Sequence, residues 1–88
     1  MTDGQKGAAA WLQNNGWTVV MTDTGFTAVH GYEAMAMIAT ERKTNIAWTP
    51  DAPGDVTYRS EIRKTATVGV IVELLANVTG RKPAEVAQ

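Results

Sequence analysis

Apolar and polar residues alternate through the middle of the chain, and this alternation predicts an antiparallel sheet. A first strand is predicted at 17–23, where Trp17, Val19 and Met21 would share one face. A turn at its end leads into a second alternating stretch at 26–32. The short connection predicts that these two strands pair as a hairpin.

The segment that follows fits both a helix and a strand. Its sequence, Glu-Ala-Met-Ala-Met-Ile-Ala, consists of helix formers. However, it follows Gly31 without an N-cap residue and lies between two strand-like stretches. We therefore favour a strand over 34–41, paired with another strand at 46–49.

The cleanest alternation in the chain lies at 56–62, after a loop at 50–55 that contains two prolines. This pattern competes with a single helix that would run on to residue 79. Such a helix would place Ile62 and Ala66 on its polar side, opposite its apolar residues. A separate strand over 56–62 is therefore favoured.

A first helix is predicted at 3–15, before the sheet. Thr2 and Gln5 have the spacing of a capping box, in which each residue satisfies a backbone N–H group of the other. Gly16 suits a left-handed residue at the helix end. These signals define both ends of the helix.

A second helix, predicted at 66–79, has the most informative apolar pattern of the chain. Thr65 or Thr67 would cap it, and Gly80 would end it. Its apolar residues, from 68 to 78, cover about two-thirds of the helical circumference, which is wider than the stripe of an ordinary surface helix. The helix therefore needs cover on more than one side, from its own chain or from a partner.

Together these elements predict a two-layer α+β domain over residues 1–80, with a flexible tail at 81–88. The domain would contain the N-terminal helix, an antiparallel meander of four or five strands and the C-terminal helix. Both helices would cover one face of the sheet. The side chains predicted to point into the core are Trp17, Val19, Met21, Phe26, Met37, Ile46, Trp48, Tyr58 and Ile62.

Composition excludes several classes of function. The 88 residues carry a net charge of −1, which gives no general attraction to nucleic acid or to an anionic membrane. The chain contains no cysteine, so disulfides, thiolate catalysis and cysteine-based zinc sites are excluded. Neither a signal peptide nor an apolar run of ~20 residues is present, so we expect a cytoplasmic protein that does not cross a membrane.

Residues that carry chemistry are few. His30 is the single histidine and Ser60 the single serine, and no nucleophile motif surrounds either residue. Asp51 and Asp55 flank a turn, but the further oxygen ligands of a calcium loop are missing. We expect no enzymatic activity, no cofactor and no metal, and the role of His30 stays open.

The apolar circumference of the second helix favours a non-enzymatic protein-binding module that forms a homodimer. The residues predicted to form the interface are Ile71, Leu75 and Val78, together with Met35. Small single-domain proteins without cysteine are frequent among bacterial and phage accessory proteins, including inhibitors of host systems. That role is the expected context.

Basic residues support an alternative function. Arg59, Arg63 and Lys64 lie close together in sequence, near the start of the second helix. With an exposed aromatic side chain, such as that of Trp48 or Tyr58, they would form a nucleic-acid-binding module through phosphate contacts and base stacking.

Overall fold

Residues 1–81, which a computed structural model describes, form two helices and five strands. In chain order these are α1 (Asp3–Asn14), β1 (Thr18–Met21), β2 (Gly25–His30), β3 (Glu33–Ala39), β4 (Lys43–Thr49), β5 (Tyr58–Arg63) and α2 (Val68–Thr79). The predicted α+β class and element order are confirmed, with five strands in the meander. The tail predicted at 81–88 lies outside the described residues except for Arg81.

The strands form one antiparallel sheet in the order β1-β2-β3-β4-β5, so each strand pairs with its neighbour in sequence. Phe26 of β2 faces Met37 of β3, which in turn faces Ile46 of β4. The ambiguous segment is therefore a strand, as favoured. It pairs along both of its edges, and this pairing outweighs the helical propensity of its alanines and methionines.

The start of α1 has the predicted capping box. The Thr2 hydroxyl accepts a hydrogen bond from the Gln5 backbone N–H (3.2 Å), and the Gln5 side chain accepts one from the Thr2 N–H (3.0 Å). The same Gln5 amide donates to the Thr44 hydroxyl on β4 (2.7 Å), and both side chains are fully buried. The first turn of α1 is therefore attached to the sheet.

Helix α2 begins and ends with residues that the sequence identifies. The Thr67 hydroxyl accepts a hydrogen bond from the Val70 N–H (3.4 Å), which makes Thr67 the N-cap. Gly80 ends the helix in the left-handed conformation, with φ of 74°. The helix starts two residues later than predicted, because a turn in which the Ala66 N–H donates to the Arg63 carbonyl precedes it (3.1 Å).

A single core lies between the sheet and the two helices. The inward prediction is confirmed for Trp17, Phe26, Met37 and Ile46, which are buried, and for Val19, Trp48 and Ile62, which are partly buried against the core. Met21 lies on the predicted inner face, opposite Phe26, but is 49% exposed, and Tyr58 is only half-buried and lies outside the core cluster. These two residues lie at the ends of the edge strands β1 and β5, where neighbouring elements cover less of the sheet.

Candidate protein-binding surface

Three of the four residues predicted to form an interface lie in the core. Ile71 and Leu75 are 0% exposed and Met35 is 3% exposed, so the chain itself covers them. In the single chain these three residues therefore present almost no exposed surface to a partner. Val78, the fourth, is half-buried.

The close approach of α1 explains how the apolar arc of α2 is covered. A Cβ atom on Gly4 would meet Ile71, and one on Gly7 would overlap Val68. These two glycines lie three residues apart on one face of α1, and they let α2 approach closely. Their spacing is the sequence signal that would have predicted cover for α2 from within the chain.

Two apolar residues in the first turn of α2 remain about half exposed. Val68 is 45% exposed and Val70 is 55% exposed. Val70 lines a shallow depression together with Ile62, Arg63 and Ala66. The apolar surface that α2 leaves exposed therefore lies beside the C-terminal end of β5.

The structure places the predicted basic residues along β5, without an exposed aromatic beside them. Arg59 and Arg63 are exposed on the same face of this strand with Glu61 between them, and Lys64 is half-buried. The most exposed aromatic side chain in the described part of the chain is Tyr32 (76%), and β3 and β4 separate it from β5. Trp48 and Tyr58 are both partly buried.

A polar cluster at the opposite end of the sheet was not predicted. The Arg81 guanidinium donates to both carboxylate oxygens of Glu33 (2.8 and 3.0 Å) and lies over the Trp17 ring, 5.1 Å from its centroid. It also lies 3.3 Å from Nδ1 of His30. Trp48 donates its indole N–H to Glu33 (3.2 Å). Arg81 is 48 residues from Glu33 in sequence, so no local pattern indicates this pairing.

The chemistry of this cluster is that of a structural anchor. Arg81 immediately follows the end of α2, so its bidentate pair attaches the end of that helix to β3. His30 is not placed near Ser60, because Ser60 lies on β5 and two strands separate the residues. Within residues 1–81, no group of three acidic, histidine or cysteine side chains is placed to hold a metal ion.

The Glu33 pair contributes to stability in a pH-dependent way. Hydrogen bonding to Arg81 is the main cause that lowers the pKa of Glu33 from its usual 4.5. A lowered folded-state pKa means that the stabilisation is complete above the unfolded-state pKa. It is lost as the pH falls through the folded-state pKa.

Glu33→Gln is expected to lower the free energy of unfolding at pH 7 by about 1–2 kcal/mol, since the pair is bidentate but partly solvated. Urea denaturation between pH 7 and pH 3 checks this. The difference from the unmodified chain should shrink below pH 4.5, as the carboxylate of the unmodified chain is protonated. The control, Glu41→Gln in the exposed β3–β4 turn, should change little. An equal loss in both variants would contradict the assigned role of Glu33.

The sheet face that points away from both helices, the outer face, carries little charge on β1 to β4, whereas Arg59, Glu61 and Arg63 of β5 are charged residues on the same face. Side chains alternate across each strand, and the register of the pairs aligns the outward residues of neighbouring strands. Those on β1 to β4 are Thr18, Val20, Thr27, Val29, Ala34, Ala36, Ile38, Lys43, Asn45, Ala47 and Thr49. Lys43, at the start of β4, is the one charged residue in this set.

The outer face is shallowly concave, with apolar side chains on β2 and β3 and with Arg59 and Glu61 of β5 lining one of its depressions. Val20, Val29 and Ile38 are each about half exposed, at 58%, 49% and 46%. Two depressions meet over Ala36 and Ala47, whose small side chains lie at the centre of the face. The larger side chains stand around this centre and leave room for side chains of another molecule.

Comparisons with known proteins supply no relative from which a function can be taken. No protein-family model matches the chain, and neither a curated protein nor a solved structure matches it. Neither helix in the described range is long and apolar enough to cross a membrane. The function must therefore be argued from the surface itself.

Proposed function

We propose that this chain is a non-enzymatic protein-binding module, which binds a helix of a partner protein on its outer face. The observation that carries the proposal is the group of apolar side chains that the register brings together on that face, with Lys43 as the one charged residue across β1 to β4. An antiparallel sheet with one solvated face normally carries polar residues there. Here valine, alanine and isoleucine occupy six of the eleven outward positions of β1 to β4.

The shape of the outer face favours a helix as the bound element. Sheets that are apolar on both faces are normally covered by helices on both. In this chain α1 and α2 cover the inner face. A partner helix with a ridge of apolar side chains would lie over Ala36 and Ala47, between Val29 and Ile38.

Nucleic-acid binding has less support from the geometry. Glu61 lies between Arg59 and Arg63 on the outer face, so the local charge is mixed. No exposed aromatic ring in the described residues lies beside these arginines to stack on a base.

A matched pair of variants, each replacing an alanine by arginine, tests the outer face. Ala36→Arg places a charge at its centre, whereas Ala10→Arg places the same charge on the exposed side of α1. The immobilised chain is used to capture a partner from extracts of its source cells, and calorimetry with the purified partner then measures the affinity. We expect Ala36→Arg to weaken binding at least about tenfold, because an unpaired charge in an apolar interface is costly. Ala10→Arg should bind like the unmodified chain.

Two results would contradict the proposal. One is a partner that binds the Ala36→Arg variant as tightly as the unmodified chain. The other is capture of nucleic acid only, with salt-dependent retention in a mobility-shift assay that is lost in Arg59→Ser. The second result would favour the nucleic-acid alternative.

A further inference from the structure

We propose that two copies of this chain form a dimer by pairing their β5 strands antiparallel, about a two-fold axis at Ser60. β5 is an edge strand, hydrogen-bonded in the described residues to β4 alone. It has six residues, whereas the opposite edge strand β1 has four. The dimer uses the backbone edge of the sheet and does not require a bound partner helix, although Arg59 and Glu61 also line one depression of the outer face.

The backbone of β5 presents the groups that such pairing needs. The Lys64 N–H donates to the Arg42 carbonyl (3.2 Å), and antiparallel pairing alternates from residue to residue. Ile62, Ser60 and Tyr58 therefore turn their backbone groups toward β4. Arg59 and Glu61 turn theirs toward the free edge, where they are available to a second strand.

Charge complementarity selects the register. With the axis at Ser60, Arg59 of each copy lies opposite Glu61 of the other, on the outer face. The same two residues have their backbone groups on the free edge, so each of these two pairs can form two backbone hydrogen bonds. Tyr58 then lies opposite Ile62 of the second copy on the inner face. One alignment therefore satisfies hydrogen bonding, charge and apolar contact together.

Other registers of the two β5 strands are less favourable, because each opposes like charges, needs a carbonyl that already accepts a hydrogen bond or mismatches the two faces of the sheet. An axis at Glu61 would place two glutamates opposite each other, and Arg59 opposite Arg63. An axis at Ile62 would need the Arg63 carbonyl, which already accepts a hydrogen bond from the Ala66 N–H (3.1 Å). A shift by a single residue would place the inner face of one copy against the outer face of the other.

Charges on an edge strand usually prevent pairing with other chains. In β5 the charges alternate in sign along one face. In most alignments of two β5 strands they would place like charges opposite one another, whereas one alignment places opposite charges together. Neither Arg59 nor Glu61 forms an ion pair within the described residues. Each is therefore available to a charged residue of a second copy.

The apolar surface beside β5 continues the proposed interface. Ile62 and Val70 line one depression at the edge of the sheet, and Val70 is 55% exposed. Pairing through β5 brings the second copy against this side of the molecule. The apolar surface left exposed by the first turn of α2 would thus lie at the margin of the dimer.

A charge swap tests the register by sedimentation velocity over a range of concentrations. The unmodified chain should dimerise. Arg59→Glu and Glu61→Arg should each weaken dimerisation at least about tenfold, because each places like charges opposite one another. The double variant Arg59→Glu/Glu61→Arg restores opposite charges and should recover the dimer. Both positions are exposed on the outer face, and circular dichroism checks that every variant is folded.

A cysteine pair provides a second measurement, because the chain contains no natural cysteine. In the proposed register Ser60 faces Ser60 of the second copy in a non-hydrogen-bonded pair, with Cα atoms about 4.5 Å apart, within disulfide range. Ser60→Cys should therefore form a covalent dimer on mild oxidation, and the control Glu61→Cys should form much less. A chain that stays monomeric at its highest soluble concentration overturns the proposal. So does a double charge variant that does not recover, or equal cross-linking of both cysteine variants.

Discussion

Gly25→Ala is expected to destabilise the fold by about 3 kcal/mol or more, a large part of the roughly 5–10 kcal/mol that stabilises a domain of this size. Gly25 begins β2 and is buried opposite Ile38. A Cβ atom at this position would overlap the carbonyl group of Met37 on β3. The overlapped atoms belong to the backbone, so they cannot move without disturbing the β2–β3 pairing.

Urea denaturation followed by tryptophan fluorescence measures this effect. The control is Gly69→Ala in the first turn of α2, where no atom lies within 4 Å of the added Cβ. Since alanine is the better helix former, this control should gain about 0.5–1 kcal/mol. A Gly25→Ala variant with unchanged stability would show that β2 and β3 do not approach this closely.

Leu75→Ala is expected to cost about 3 kcal/mol, within the range for a leucine whose removal leaves a cavity in a core. Leu75 is 0% exposed and belongs to the same core cluster as Phe26 and Met37. Val70→Ala, on the exposed side of the same helix, should change the free energy of unfolding by less than about 0.5 kcal/mol.

The pair of α2 variants also separates core from interface. If Leu75 contacted a second copy, its truncation would weaken association and leave the monomer as stable as before. We expect the opposite, a loss of monomer stability that does not depend on protein concentration. A concentration-dependent loss would restore the interface that the sequence predicts and that the structure does not support.

Much of the fold follows from local patterns. The alternation at 56–62 and the capping residues Thr2, Gln5 and Gly80 each predict a feature that the structure contains. The strand at 34–41 needed its context, because its composition favours a helix. Backbone hydrogen bonds to the neighbouring strands β2 and β4 stabilise the strand, and the sequence of this segment alone does not show them.

The candidate surfaces were harder to predict, for a physical reason. The distribution of apolar residues around α2 shows that they need to be buried, but it does not show whether this chain or a partner buries them. The answer depended on Gly4 and Gly7, which let α1 approach closely enough to bury Ile71. The outer face could not be predicted, because the alternation within one strand does not show which outward residues of neighbouring strands lie side by side. Only the register shows that Ala36 and Ala47 lie side by side.

The sequential order of the strands has a consequence for how the chain reaches this structure. Three of the four hairpins have connections of two or three residues and the fourth has eight, so sheet formation requires only modest loop closures. The long closures are those made by the two helices, and one of them ends in the buried contact between Gln5 and Thr44, 39 residues apart. Among the contacts that form this structure, those made by the two helices therefore close the longest loops, and we expect them to dominate the loop-closure entropy of folding.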